Sequence, residues 1–177
     1  MKLIPLTRGK FVQVDDEDYE YLMQFKWFYS KHPTSDRHGY AVRNVGTFNG
    51  KRLKIRMHRE LMSTPRHLVV DHIDGNGLNN QRCNLRNCTQ KQNMKNRRPT
   101  VGCKSKYLGV SIHIIKKQRL DGSVKIKHKW CATIKGEDKQ IWLGHHKTEI
   151  EAALAYNEAA KKYHGEFANL NIIGNFD

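Results

Sequence analysis

The N-terminal third of the chain alternates hydrophobic and polar residues over short stretches, a pattern that predicts a small sheet with short helices. Residues 11–14 alternate weakly and lead into an acidic cluster. That cluster predicts a helix over about residues 16–24, because negative charge stabilises a helix N-terminus. Aromatic and β-branched residues predict two strands, at 27–29 and 40–45.

A third strand in this region has the clearest alternation, so its side chains should divide between a packed face and a cationic outer face. The apolar positions are Leu53, Ile55 and Met57, and the polar positions between them are Lys54, Arg56 and His58. A short helix should follow over about residues 58–62. It should end before Pro65, because the residue before a proline is disfavoured in a helix.

The C-terminal third predicts three strands followed by one helix. The strands are expected at 107–115, 129–135 and 140–144. Thr148 and Glu151 form a capping box that starts the helix, and Gly165 stands where a C-terminal cap belongs. The expected result is a three-stranded antiparallel sheet covered on one side by a helix of about 16 residues, with its other face open.

Between these regions, residues 69–96 combine an apolar lead-in with closely spaced polar residues. Asp71 and His72 are adjacent, a turn rich in Asp, Gly and Asn follows, and Asn84 and Asn93 belong to a second segment. Neighbours on a strand point to opposite faces, so the adjacent pair should lie where the strand breaks into the turn. Thr89 and Gln92 form a capping-box pattern, which predicts a helix that has Asn93 in its first full turn and runs to about Arg97.

These residue types suit the hydrolysis of a phosphodiester bond. The reaction needs an aimed water, relief of charge on the phosphorus and help for the leaving oxygen, which one divalent ion and one base can supply. Asp71 offers a hard oxygen ligand, Asn93 a neutral oxygen, and His72 the side chain best suited to take a proton near neutral pH. Each residue alone is more often a surface, capping or turn residue, and only the joint spacing favours a site.

The charge of the chain points to a polyanionic partner. There are 32 lysines and arginines against 17 aspartates and glutamates, a formal net charge of +15. Nucleic acid is the first partner to expect of such a chain. A role in solubility alone is the alternative, but the cations cluster: residues 91–129 contain twelve of them and one acidic residue, Asp121.

The four cysteines contain no CxxC pair, so we expect reduced packing residues and no zinc. They are Cys83, Cys88, Cys103 and Cys131. Neither a secretory signal nor a run of about 18 apolar residues is present, so a cytoplasmic protein without membrane contact is expected. No obligate protein partner is evident.

The central segment resembles the HNH nuclease motif, in the form found in phage- and intron-encoded homing endonucleases. The resemblance rests on Asp71-His72-Ile73-Asp74-Gly75-Asn76, Asn84-Leu85-Arg86, Thr89-Gln90-x-x-Asn93 and, before them, His58-Arg59. It covers about 40 residues.

This resemblance implies a ββα-metal fold in which His72 is the general base, Asp71 and Asn93 bind one divalent ion, and Asn84 holds the loop by backbone hydrogen bonds. Some family members carry His where this chain has Asn93. An oxygen ligand suits Mg²⁺ or Mn²⁺ better than imidazole does. The resemblance also implies a phage-encoded or bacterial protein acting in the cytoplasm on double-stranded DNA.

The segment from about residue 105 to 171 resembles the DNA-binding domain of plant ethylene-response factors. The resemblance rests on Tyr107-x-Gly109-Val110, Lys129-Trp130-x-Ala132-x-Ile134, Trp142-Leu143-Gly144, the alanine-rich stretch from Glu151 to Ala160, Gly165 and Leu170-Asn171. It implies that the open sheet face lies in the major groove of DNA. Leu108, Ser111 and His113 stand where the plant domains have arginines, which implies phosphate anchoring with limited base reading. Trp130 is expected in the core, whereas Trp142 suits core and DNA contact equally.

The residues expected to contact DNA fall in three groups. They are Arg52, Lys54, Arg56 and Arg59 in the N-terminal sheet; Lys91, Lys95, Arg97 and Arg98 around the end of the nuclease segment; and Lys116, Lys117, Lys135, Lys139, Gln140 and Trp142 in the C-terminal sheet.

The expected fold class is α+β, with a small N-terminal sheet leading into a ββα-metal nuclease core, then a three-stranded antiparallel sheet packed on one helix. The first domain should span residues 1–98, with the nuclease motif at 58–97. A basic linker at 99–104 should connect it to a DNA-binding domain at 105–177.

Together these features predict a metal-dependent endonuclease that nicks or cuts double-stranded DNA at a recognised site. One active site per chain predicts nicking, or double-strand cutting by two chains or by successive nicks. Two other functions remain open: a non-catalytic DNA-binding regulator with a decayed nuclease fold, and a nonspecific nucleic-acid chaperone, which the charge alone would allow.

Overall fold

A computed structural model describes residues 1–32, 35–97 and 103–174, without the side chains of residues 32, 35–38 and 117. The chain divides into two compact units, Met1–Met94 and Lys95–Asp177. Several small antiparallel sheets and few helices make up both units, which is compatible with the α+β class. Most of the expected linker lies outside the described residues. Among those described, no helix is long and apolar enough to cross a bilayer.

The N-terminal unit is built from three small sheets and three short helices in its described part. The strands are β1 (Lys2–Pro5), β2 (Phe11–Val14), β3 (Phe28–His32), β4 (Ser35–Phe48), β5 (Lys51–Arg56), β6 (Val69–His72) and β7 (Leu85–Cys88), and the helices are α1 (Asp16–Met23), α2 (Met57–Leu61) and α3 (Gln90–Asn93). The sheets are β1–β2, β3–β4–β5 and β6–β7. Strand β1 was not predicted, and β4 extends beyond the predicted strand at both ends.

One apolar core joins these elements. Leu22 of α1, Met57 of α2 and Val12 of β2 are fully buried in it, together with Val70 and Leu85 from the β6–β7 hairpin. The hairpin is thus packed on one side against the N-terminal sheet elements. Its position depends on the rest of the unit, because two strands alone are at best marginally stable in water.

The loop between β6 and β7 is also held by the N-terminus of the chain. The backbone of Gln13 in β2 donates to the Leu78 carbonyl and accepts from the Asn80 amide, both at 2.8 Å. The Arg82 side chain donates to both carboxylate oxygens of Asp18 in α1, at 2.8 and 2.7 Å. The acidic cluster therefore anchors this loop as well as starting a helix.

The predicted packing of the third strand was wrong at two positions, Leu53 and His58. Met57 is buried as expected, but it belongs to α2 instead of the strand. Strands β4 and β5 form a two-stranded ribbon that ends in the turn at Asn49 and Gly50. Leu53 is 47% exposed, because nothing in the described part of the chain covers the half of this ribbon nearest the turn. His58, predicted on the cationic face, is buried in α2 and belongs to the site described below.

The C-terminal unit is a three-stranded antiparallel sheet with one long helix. The strands are β8 (Val110–Gln118), β9 (Val124–Lys135) and β10 (Gln140–His146), in the order β10–β9–β8, and the helix is α4 (Glu149–His164). Thr148 caps the helix by accepting from the Glu151 amide at 3.1 Å. The Glu151 carboxylate accepts from the Lys147 amide at 3.0 Å. Gly165 ends the helix with a positive φ of 56°.

Helix α4 covers one face of this sheet through small side chains. Ala152, Ala153 and Ala160 are fully buried and allow close approach to Ala132 and Ile134 of β9. Trp130 is partly buried against the same core. Trp142 is 52% exposed, which rules out the core position that was one of its two expected alternatives.

Candidate active site

Asp71 and His72 are the last two residues of β6, where the strand meets the turn. Both are buried, and His72 keeps 7% of its surface exposed. Asp71 pairs across the hairpin with Arg86, and His72 pairs with Leu85. The two side chains therefore project to opposite faces of the hairpin.

The ring of His72 lies in a cluster of polar and aromatic side chains. Its Nε2 atom is 2.9 Å from Oδ1 of the fully buried Asn80. The ring of His58, from α2, meets it edge-on with 4.9 Å between ring centroids. Tyr40 of β4 is centred 6.1 Å from it. A Cβ atom on Gly77 would clash with this tyrosine ring, so the loop lies directly against the cluster.

With its amide oxygen towards the ring, Asn80 selects one tautomer of His72. An amide oxygen can only accept a hydrogen bond, so Nε2 carries the proton and donates it to Oδ1. The lone pair of a neutral imidazole then lies on Nδ1, which is the atom able to take a proton.

Burial keeps both histidines neutral. Burial lowers the pKa of His72 below its ordinary value, although the hydrogen bond to Asn80 and the carboxylates of Asp74 and Asp71 act in the opposite direction. Burial also lowers the pKa of His58 to about 3, with the neighbouring His72 acting the same way. A neutral His72 is the form that can act as a base.

Asp71 faces the other side of the hairpin, where it pairs with Arg86. The guanidinium donates to Oδ2 of Asp71 through Nε at 2.9 Å and Nη2 at 2.7 Å. Helix α3, which carries Asn93, packs against β6. Burial raises the pKa of the Cys88 thiol. The charge of Asp71 also raises it and a hydrogen bond with the Asn93 backbone lowers it, so the thiol lies near both residues. Asp71 and the helix of Asn93 thus share one side of the hairpin.

Asn84 closes the loop after β6. Its Nδ2 donates to Asp74 Oδ1 at 3.0 Å and to the Asn79 carbonyl at 2.9 Å, and its Oδ1 accepts from the Asp74 amide at 2.9 Å. The Asp74 carboxylate also accepts from the Asn76 amide and from the Asn79 side chain. The side chain of Asn84 therefore makes the bonds that fix the shape of the turn.

The donor chemistry on the Asp71 side fits a hard divalent cation. A carboxylate and an amide oxygen are ligands that Mg²⁺ and Mn²⁺ accept, and such ions keep further positions for water and phosphate. An ion there would share Asp71 with Arg86. Among the described residues, the one group of three His, Cys, Asp or Glu side chains close enough to share an ion is Asp15, Glu17 and Asp18. Asp15 and Asp18 already bind Arg82.

Residues 63–95, which include the whole hairpin and α3, match the family described as HNH endonuclease. Over nearly its full length the chain is similar to an uncharacterized HNH endonuclease of Acanthamoeba polyphaga mimivirus. The two are 30% identical over 178 residues, which cover 97% of this chain and 80% of the relative. This chain belongs to the HNH endonuclease family. No solved structure matches it.

Part of this HNH endonuclease is also similar to plant transcription factors. A dehydration-responsive element-binding protein of Arabidopsis thaliana is 48% identical over 46 residues, which cover 25% of this chain and 14% of the relative. An ethylene-responsive transcription factor of Medicago truncatula is 39% identical over 95 residues, which cover 52% of this chain and 32% of the relative. The similarity to these plant proteins is partial on both sides.

The N-terminal residues predicted to contact DNA occupy two different environments in the HNH endonuclease. Arg52, Lys54 and Arg56 are exposed along β5. Arg59 donates to three carbonyls of the loop at 64–68, at 2.9, 3.2 and 3.1 Å. Arg59 therefore holds the loop after α2 and is not one of the exposed cations of the ribbon.

The cations at the end of the nuclease segment are also divided. Lys91 and Arg97 are exposed. Lys95 donates to the Tyr163 carbonyl at 3.1 Å, within the C-terminal unit. Arg98 lies outside the described residues.

The C-terminal sheet presents its predicted contact residues on the surface. Lys116, Lys135 and Lys139 are exposed, and the side chain of Lys117 lies outside the described part. Gln140 is exposed and donates to Thr133 Oγ1 at 2.9 Å. The exposed Trp142 packs edge-on against His145, with ring centroids 4.9 Å apart.

Three residues of the site were not predicted as site residues, although His58 and Arg86 stand in the motif that carries the HNH resemblance. Asn80 and His58 contact His72 only through the tertiary fold, and no local signal separates Asn80 from the other asparagines of the loop. Arg86 could have been found, because an antiparallel pairing of β6 with β7 places it opposite Asp71.

The buried neutral His58 predicts a specific pH dependence of stability. Unfolded His58 binds a proton near pH 6.5, but the folded side chain does so only near pH 3, so its contribution is complete above pH 6.5 and is lost as the pH falls. We expect His58 to add about 1.4 kcal/mol per pH unit to the loss of unfolding free energy below about pH 6. His58→Gln should remove this part of the slope.

Urea unfolding between pH 4.5 and 7.5, read from hydrogen exchange of peptides within residues 1–94, measures the slope for the N-terminal unit. His67→Gln is the matched control, because His67 is exposed, and it should keep the wild-type slope. An equally steep slope in His58→Gln would contradict the assignment of a buried, neutral His58.

Proposed function

We propose that this HNH endonuclease is of the homing type, encoded by a phage or an intron, and that it hydrolyses a phosphodiester bond in double-stranded DNA with one divalent ion. The observation that carries the hydrolytic part of the proposal is the His72 ring. It is buried, neutral and fixed in one tautomer by Asn80, and it is one residue from a carboxylate at the end of a strand.

In this proposal His72 is the general base. Nδ1 takes a proton from the water that attacks the phosphorus, and Nε2 keeps its proton through the bond to Asn80. Positive charge then develops on the ring in a buried place, and the Asp74 and Asp71 carboxylates stabilise it. Asn84 keeps the turn closed beside the ring.

Asp71 and Asn93 would hold one Mg²⁺ or Mn²⁺ ion. When bound, such an ion supplies positive charge to the phosphate and to the departing oxygen. Arg86 holds the Asp71 carboxylate in place through two hydrogen bonds to one oxygen. The base and the ligands would thus approach the phosphate from the two sides of the strand end.

The C-terminal unit would be the main DNA-binding domain, of the ethylene-response-factor type. Its sheet leaves one face uncovered by α4, and on that face lie the exposed Trp142 and Gln140. Lysines at the sheet ends, Lys116, Lys135 and Lys139, would anchor phosphates. The exposed cations of β5 would bind phosphates of the duplex at a second place.

Supercoiled plasmid tests the nuclease proposal. In Mg²⁺ the wild type should convert it to open circle or linear DNA, and EDTA should stop the conversion. His72→Ala should slow it by at least about 100-fold, because a positioned base contributes roughly 10²–10⁴-fold. His67→Ala, at an exposed histidine of the same unit, should leave the rate unchanged.

DNA binding by the same variants separates the rival functions. A wild type that binds plasmid but never cuts it, with or without metal, would support a non-catalytic regulator instead. Cutting that is equally fast in His72→Ala would rule out the proposed base.

The C-terminal lysines should determine the salt dependence of DNA binding. Each phosphate contact adds about 0.9 to the slope of log affinity against log salt, so Lys135→Ala and Lys139→Ala should each lower the slope by about 1. Trp142→Ala should weaken binding at every salt concentration without changing the slope. Fluorescence anisotropy measures both the affinity and its salt slope. The duplex should have 30 base pairs, about three helical turns.

Lys161→Ala is the control, because Lys161 is exposed on α4 and pairs with Glu158 at 2.8 Å. It should reproduce the wild-type slope. If Lys161→Ala lowers the slope as much as Lys135→Ala does, the open sheet face is not the DNA-binding surface.

A further inference from the structure

The tip of the β4–β5 ribbon exposes large apolar side chains. The strands join through Asn49 and Gly50, whose φ values of 48° and 72° are typical of a tight two-residue hairpin. Phe48, the last residue of β4, is 66% exposed. Val45 and Leu53 are also about half exposed. Large apolar side chains clustered at a projecting tip indicate a binding function more often than single exposed ones do.

The two faces of the ribbon differ in chemistry. Phe48 pairs with Lys51, and Gly46 pairs with Leu53, so Phe48 and Leu53 lie on one face. Lys51 shares the face of Phe48 and Leu53, whereas Arg52 and Lys54 lie on the other face. No acidic residue occurs between Gly39 and Arg59. Between Gly39 and Arg59 the ribbon therefore carries cations and no acidic residue, and large apolar side chains lie near its tip.

This combination selects DNA over a protein as the occupant. The cations of the ribbon match the phosphates on either side of a groove, and a two-stranded ribbon is thin enough to enter one. Proteins that bend DNA insert apolar side chains such as Phe and Leu between base pairs, and hold the deformed backbone with basic residues.

We propose that Phe48 is a wedge that inserts between two base pairs and kinks the DNA that the enzyme cuts. Leu53 lies behind it on the same face, and the cations of β5 hold the flanking phosphates. The inference rests on the proposed function, because it takes double-stranded DNA as the substrate.

The length of β5 limits how far from the cut the kink can fall. Strand β5 runs from the tip directly into α2, which carries His58 next to the ring of His72. A strand advances about 3.4 Å per residue, so the tip lies about 17–20 Å from the start of α2. DNA advances about 3.4 Å per base pair, so this length limits the kink to within about six base pairs of the cut.

Two probes test this proposal. The first is a 30-base-pair duplex of mixed sequence, again about three helical turns, with a donor and an acceptor dye at its ends. Binding of the wild type should raise energy transfer by bending the duplex. The second is a duplex that contains the cut site mapped on plasmid, with 2-aminopurine at successive positions. Its fluorescence should rise several-fold at a position within about six base pairs of the cut.

Phe48→Ala should abolish both signals, and Phe48→Leu should keep most of them. Phe11→Ala is the matched control, because Phe11 is 53% exposed on β2 of the same unit, away from the ribbon. It should behave as the wild type. Both substitutions are at exposed positions and should leave the fold intact.

Equal energy transfer and equal 2-aminopurine fluorescence in wild type and Phe48→Ala would overturn the wedge. If the wild type cuts plasmid normally in that case, the nuclease proposal stands and the wedge alone fails. If the plasmid is never cut but bending still depends on Phe48, the wedge stands and the nuclease proposal fails. If Phe48→Ala instead abolishes self-association and leaves both DNA signals unchanged, the tip is a protein contact and the wedge is rejected.

Discussion

The hydrogen bond from His72 Nε2 to the Asn80 side chain, at 2.9 Å, is the interaction on which the candidate site depends. It sets both the orientation and the tautomer of the imidazole. Asn80 can make it because the Gln13 backbone in β2 holds the surrounding loop through two hydrogen bonds. Arg82, bound by Asp15 and Asp18, fixes the next turn of the same loop. The N-terminal strands and α1 thus serve as the support of a site to which they contribute no catalytic side chain.

Because side chains alternate along β6, the base and the proposed metal ligand lie on opposite faces of the strand. His72 faces His58 and Tyr40 on the side of the apolar core, where burial keeps it neutral. Asp71 faces Arg86 and the side of α3. A base needs a low-dielectric place that disfavours its charged form, whereas a metal ligand must stay ionised. Because adjacent residues lie on opposite faces of one strand, the base and the proposed ligand have separate partners within a short distance.

The sequence predicted the local elements of this fold better than its long-range contacts. The capping box at Thr89, the long helix after Thr148 and the open sheet of the C-terminal unit all depend on neighbouring residues, and the structure confirms them. The exposure of Leu53 was not predictable, because alternation shows which face a residue takes and not whether anything covers that face. The partners of His72 come from α2 and the loop, and no periodicity in the sequence links them.

The central claim is that His72 acts as a base because Asn80 holds it. Single-turnover cutting by wild type, His72→Ala, Asn80→Ala and the double variant tests it, with each protein first shown to be folded. Asn80→Ala should slow the wild type by about 10- to 100-fold, as expected for a residue that orients a catalytic group. In the His72→Ala background it should have no effect, since its action passes through the ring. An equal loss in both backgrounds would contradict the account.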